Sequence, residues 1–179
     1  MSGHSHWSSI KHKKGAVDVK RGKIFSKISR LINIATREKG EDPESNPKLR
    51  VAINKAKEAN MPKDNIERAI KKGAGQIDGV KMEEISYEAY GPAGIALIID
   101  VITDNKNRVL SEIKHILSRF DGKMAETGSV KYLFDKKVEK WMPKYPIEIT
   151  DEKTKSQLEK LFDALDENDD TQEIYSNLK

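Results

Sequence analysis

The chain has no cysteine, which excludes disulfide scaffolds, thiolate-bound zinc, iron–sulfur clusters and thiol catalysis in one step. Aromatic residues are scarce, at 6%. No apolar run approaches the ~18 residues of a membrane-spanning helix, and no apolar signal-peptide stretch stands at the N-terminus. These absences predict a soluble, intracellular protein without a membrane partner. What is plentiful is charge, at 35% of 179 residues against 36% hydrophobic. That length suits one domain, or two small ones with modest cores.

The net charge of +4 conceals a strong asymmetry. Residues 1–75 hold 18 Lys+Arg against 8 Asp+Glu, a net of +10, whereas residues 76–179 hold the other 15 against 21, a net of −6. Within the first thirty residues, Asp18 is the one acid against eight Lys+Arg. Segregation of this kind favours a polyanionic partner for the N-terminal part. The plainer alternative is a solvated basic face that keeps the chain soluble.

Periodicity divides the chain in the same place. Residues 1–15 are polar and Gly/Ser-rich, and they read as a flexible arm, disordered or loosely docked. From about Val17 to Glu38 an amphipathic helix is predicted, with Ile24, Phe25, Ile28, Leu31, Ile32 and Ala35 on one face and Lys20, Lys23, Lys27 and Arg30 on another. Gly40 is its expected stop. A second helix begins at Pro47, capped by Asn46. A third spans about Lys63 to Lys72, with Gly73 as its stop.

Beyond Gly73-Ala74-Gly75 the pattern changes. A short strand around Ile85–Tyr90 leads through a Gly91-Pro92-Ala93-Gly94 turn into GIALIIDVIT (94–103), which reads as a doubly buried central strand. A helix over 105–120, strands at 129–137 and 146–150, a helix over 151–167 and a final strand at TQEIYSNL follow. Counted from Gly94, strand–helix–strand–strand–helix–strand fits a ferredoxin-like α+β sandwich. The predicted fold is therefore α+β, with a basic three-helix domain at 1–75 and a ferredoxin-like α/β sandwich domain at 76–179.

Enzyme-like patterns are few, and each fails. In Gly73-Ala74-Gly75-Gln76-Ile77-Asp78-Gly79 the third glycine comes one place late for a dinucleotide loop, and no strand precedes it. No Walker A is present, because Ile24 follows Gly22-Lys23 and Met124 follows Gly122-Lys123. The acidic run 166–170 has Thr171 and Asn177 where a calcium loop needs its turn Gly and bidentate Glu. His4, His6 and His12 form no helical metal pair, and His115 lies off its helix's apolar stripe. Catalytic residues, metal sites, cofactors and small-molecule substrates are all expected to be absent. An enzyme would require Asp104, Asn105, Arg108, Glu126 and Thr127 to converge in a deep pocket. Helix capping at Asn105 and turn geometry at Gly128 are the structural alternative.

Nucleic-acid binding is the signal that survives. The candidate contacts are Lys11, His12, Lys13 and Lys14 in the arm, then Lys20, Arg21, Lys23, Lys27 and Arg30 on the helix. If about six of these neutralise phosphates, counterion release predicts a log–log salt slope near −4 to −5. Trp7 sits among these cations, where an indole can stack on a base or pin the arm to the helical domain. Phosphate contacts position a protein without reading sequence.

At these residues the chain resembles the YebC family. The matching stretches are Gly3-His4-Ser5 with Trp7, Ile10-Lys11-His12-Lys13-Lys14, Lys20-Arg21-Gly22-Lys23-Ile24-Phe25 and Asn60-Met61-Pro62-Lys63-Asp64-Asn65-Ile66. Tyr90-Gly91-Pro92, Thr103-Asp104-Asn105 with Asn107-Arg108, and Glu126-Thr127-Gly128-Ser129-Val130 extend the likeness almost end to end. The resemblance implies a cytoplasmic, non-enzymatic regulator of gene expression, labelled a probable DNA-binding transcriptional regulator. Family members, including the mitochondrial translational activator of cytochrome c oxidase, are also described as translation factors. That gives an alternative partner, ribosomal RNA on the ribosome, bound by the same arm and helix. In the family an additional domain precedes the segment matching Pro146-Ile147-Glu148-Ile149-Thr150. Here residues 136–145 are expected to replace it, making this a short form.

Overall fold

The structure is a computed structural model that describes residues 17–138 and 140–179, with side chains from Lys20 onward. It divides into two compact units. One runs to Glu84 and includes Ile102–Asn105; the other holds Ile85–Val101 and Lys106–Lys179.

The first unit is built on α1 (Val17–Lys39), α2 (Pro47–Glu58) and α3 (Lys63–Gly73). Ile28, Ile32 and Ala35 of α1 meet Leu49, Ala52 and Ala56 of α2 and Ile66 and Ala69 of α3, with Met61 closing the cluster. Each large aliphatic buried here contributes about 1.5–3 kcal/mol, and the alanines let the helix axes approach closely. Gly40 ends α1 as expected, at φ 92, its N–H donating to the Thr36 carbonyl at 2.7 Å. Asn46 caps α2 as expected, its side-chain oxygen accepting from the Leu49 N–H at 3.1 Å.

Gly73 serves a different purpose from the expected stop. It is the last residue of α3, and the left-handed turn falls instead at Gly75, φ 72. A Cβ on Gly73 would stand 2.6 Å from the Asn33 carbonyl oxygen and 2.8 Å from Thr36 Cβ. The glycine is there because α3 lies directly against the backbone of α1.

The second unit carries the sheet, formed by β1 (Glu83–Tyr90), β2 (Ala96–Thr103), β3 (Lys123–Met124) and, last in the chain, β6 (Thr171–Ser176). Its strand order is β3-β1-β2-β6, with β1–β3 and β2–β6 antiparallel. Helices α4 (Lys106–Arg119) and α5 (Glu152–Glu167) cover one face. Between them in sequence lie β4 (Phe134–Lys137) and β5 (Lys140–Pro143), which form a separate antiparallel hairpin. Period-two alternation gives β2 two buried faces. Leu97, Ile99 and Val101 pack with Val109, Ile113, Leu117, Leu158 and Leu165 on the helical side, while Ala96 and Ile98 pack with Val130, Phe134 and Tyr175 on the other.

The expected fold class holds: a helical N-terminal region precedes an α+β sandwich. Joined by α4, β2 and β3 stand on either side of β1 in a split arrangement. The strand assignments differ at four places: β3 and β5 fall where the sequence predicts no strand, and two predicted strands change. In the segment 129–137 only Phe134–Lys137 is strand, and Lys131–Leu133 forms a 3-10 turn. The amides of Gly128, Val130 and Lys131 are taken by the Glu88 carboxylate, which leaves them no ladder to join. Residues 146–150 form no strand, and only Ile147 makes a bridge, to Leu178. Pro146 brings no N–H with which a ladder could begin.

Candidate nucleic-acid interface

Lys20, Lys23, Lys27 and Arg30 follow one another at three- and four-residue steps on α1, so their side chains rise from one helix face about 5–6 Å apart at Cβ. No acidic residue occurs between positions 19 and 37. Lys20 is exposed, and Lys23, Lys27 and Arg30 are half-buried. The stripe ends at Arg30, because Ile34, the next residue on that face, is buried.

Not every sequence-predicted cation serves the stripe equally. Arg30 donates from Nη1 to the Ile102 carbonyl at 2.9 Å, within the same unit, so part of its guanidinium is committed to structure. Arg21 precedes Phe25 and Ile28 by four and seven residues and therefore falls on the apolar side of α1, where it is exposed. Trp7, Lys11, His12, Lys13 and Lys14 lie outside the described residues.

Sequence reasoning overlooked a second set of cations. Of the 18 Lys+Arg in residues 1–75, ten come after Arg30. Arg50, Lys55, Lys57, Arg68, Lys71 and Lys72 are all exposed on α2 and α3. Lys55, Lys57, Lys71 and Lys72 stand in last turns, where they also offset the helix dipole. The charge count of residues 1–75 contains this signal without placing it on a surface. Lys48 is occupied, bonded to Glu84 at 2.9 Å and Glu38 at 3.1 Å. Burial opposes its charge, yet these two carboxylates hold the ammonium above its ordinary value of 10.5.

The polar motifs of the second unit are employed in holding it together. Glu88 is buried and accepts N–H bonds from Gly128 at 2.6 Å, Val130 at 2.7 Å and Lys131 at 2.8 Å. Burial alone would raise its pKa, but these amides and the Lys131 ammonium at 3.9 Å lower it below 4.5. Gly128, φ 86, permits the loop that presents the amides. Arg108 pairs with the buried Asp170 at 2.5 Å, while in the first unit Thr103 accepts the Asn105 N–H at 3.0 Å. The Glu126 carbonyl closes a turn by accepting from Ser129. Among the described residues, no group of three or more His, Asp or Glu is placed to hold a metal ion.

Two family models cover this arrangement. The TACO1/YebC protein N-terminal domain matches residues 5–76, and the TACO1/YebC second and third domain matches residues 82–139 and 138–178. The chain belongs to the TACO1/YebC family. A "probable transcriptional regulatory protein" of Petrotoga mobilis is 53% identical over 97% of this chain and 69% of its own length. One of that name from Desulfosudis oleivorans is 60% identical over 76% of this chain, which matches only 56% of the relative's length. A third, from Persephonella marina, is 39% identical over 240 aligned positions, spanning 100% of this chain and 96% of the relative. The crystal structure of a conserved hypothetical protein from Aquifex aeolicus superposes with a TM-score of 0.87 at 37% identity, covering 97% of this chain and 96% of that one. Family relatives are thus named as regulators rather than enzymes. Among the described residues no helix is long and apolar enough to cross a membrane.

Proposed function

We propose that the protein is a non-enzymatic, nucleic-acid-binding regulator of gene expression that engages its target through the basic N-terminal domain, residues 1–75. One observation carries the reading: on α1 the Lys20, Lys23 and Lys27 stripe lies within a run, residues 19–37, that contains no acid. The relatives named probable transcriptional regulatory proteins support the regulatory role. Lysines on a helix face suit phosphates, so affinity comes from counterion release and falls steeply with salt. Register and target choice then come from the wider surface, including the cations of α2 and α3.

Crosslinking the full chain in cells, followed by identification of the nucleic acid recovered, tests the proposal. Enriched promoter DNA supports a transcriptional regulator. An excess of ribosomal RNA would replace that reading with a ribosome-associated translation factor, and recovery of no nucleic acid would end both. In vitro, Lys20→Glu, Lys23→Glu and Lys27→Glu together are expected to reduce the salt slope by about 2 to 3.

A further inference from the structure

The acidic half of the chain contains one basic island. Residues 131–145 carry five lysines against Asp135 and Glu139, a net of +3. The remainder of 76–179 carries ten Lys+Arg against nineteen acids, a net of −9. The same fifteen residues hold Tyr132, Phe134, Trp141 and Tyr145, four of the chain's eleven aromatic side chains. The island coincides with the β4–β5 hairpin and its flanks, the place where the two matched segments of the second family model meet.

The hairpin sorts these side chains by function. Phe134 is buried beneath it, with Ala96, Ile98, Val130 and Tyr175. Trp141 is half-buried against that cluster, directly across the ladder from Lys136. The ammonium of Lys136 lies 5.2 Å from the indole centroid, and that of Lys131 lies 5.9 Å from it. Tyr132 and Tyr145 remain 63% and 67% exposed. The Lys144 N–H donates to the Leu133 carbonyl at 2.9 Å, which holds the backbone next to both tyrosines at one end of the hairpin. Lys137 and Lys140 pair at the other end, both exposed. The tyrosines are not needed to fill the core, and such an excess of positive charge is not needed to keep an acidic unit soluble.

We infer that the β4–β5 hairpin is a second nucleic-acid contact, a stacking platform for a single strand. Tyr132 and Tyr145 offer faces to unpaired bases at one end of the hairpin, and Lys137 and Lys140, paired at its other end, offer charge to the phosphates. Aromatic faces interleaved with cations are the chemistry by which single strands are bound without base-specific hydrogen bonds. Duplex DNA keeps its bases stacked internally and leaves the rings unused. A lipid surface would call for a broader aliphatic wedge, whereas Val138 is the one strongly exposed aliphatic side chain among the described hairpin residues. This contact lies in a different unit from α1 and does not depend on the reading given to α1.

Trp141 provides the reporter. With Trp7→Phe in the full chain, it becomes the sole tryptophan. Oligouridine of about 12 nucleotides, within the site sizes of single-strand binders, is expected to quench its emission at low salt. Tyr132→Ala with Tyr145→Ala should weaken that binding about ten- to a hundredfold. Lys137→Glu and Lys140→Glu, both exposed sites, should weaken it while cutting the salt slope by about 1 to 2, with an unchanged far-ultraviolet spectrum. Quenching that persists when Lys20, Lys23 and Lys27 are reversed to Glu assigns it to the hairpin whatever α1 binds. Absence of quenching, equal affinity for a duplex, indifference to both sets of variants, or binding to phosphatidylserine vesicles in place of oligouridine would overturn the inference.

Discussion

The carboxylate of Glu88 on β1 accepts the backbone N–H of Val130 at 2.7 Å, joining two residues 42 positions apart beneath the protein surface. The amides of Gly128 and Lys131 complete the cradle. The run Glu126-Thr127-Gly128-Ser129-Val130 is therefore the wrapping of a buried charge. Its job is to place Val130 and Phe134 over the second face of the sheet.

Glu88→Gln is expected to cost about 1–3 kcal/mol in urea unfolding at neutral pH, because an amide can satisfy fewer of the three donors and brings two of its own. The pH dependence has a definite sign. The folded pKa lies below its ordinary value of 4.5, so the carboxylate's contribution is fully present above that value. It is lost as pH falls through the lower folded value. The parent protein should therefore lose stability in this acidic window more steeply than Glu88→Gln. Parallel pH profiles would refute the assignment.

Gly73→Ala and Gly22→Ala should move stability in opposite directions. Both glycines lie in helices, where alanine is intrinsically better by about 1 kcal/mol. At Gly22 a Cβ meets nothing within 4 Å, so the propensity gain should appear in full. At Gly73 the Cβ would be driven to 2.6 Å from the Asn33 carbonyl oxygen, which is backbone and cannot swing aside. A net loss of about 1–3 kcal/mol is expected. Denaturant midpoints of the two variants settle the matter, and a stabilised Gly73→Ala would show that α1 and α3 are not in contact there.

Asn46→Asp should separate the two tasks of one side chain. Aspartate caps a helix as well as asparagine does, so the acceptor role toward Leu49 survives. Asn46 also donates from Nδ2 to the carbonyls of Ala35 at 2.7 Å and Gly40 at 2.8 Å, tying the end of α1 to the start of α2. A carboxylate facing two carbonyls in a fully buried position is expected to cost about 2 kcal/mol or more. Calorimetry would show it, and a melting temperature within a degree of the parent would mean the donors are dispensable.

The sequence by itself determined the elements whose signal is local. Ile28, Ile32 and Ala35 repeat at helical spacing, Asn46-Pro47 opens α2, and the β-branched run of β2 alternates between two cores. The charge count likewise separated a basic helical part from an acidic α+β part, and the long motifs were enough to recognise the family. Tertiary structure decided whatever depends on a partner distant in the chain. Gly73 reads as a helix stop until Asn33 is seen against it, and Lys131–Leu133 reads as strand until Glu88 takes the neighbouring amides. Arg30 reads as a surface cation alone until the Ile102 carbonyl is seen to accept from its Nη1. In each case a hydrogen bond or a van der Waals contact between residues tens of positions apart outweighs a local preference of about 1 kcal/mol. The scarcity noted at the outset gains meaning in the same way: only 6% of the chain is aromatic, yet four of those residues sit in and beside one lysine-rich hairpin.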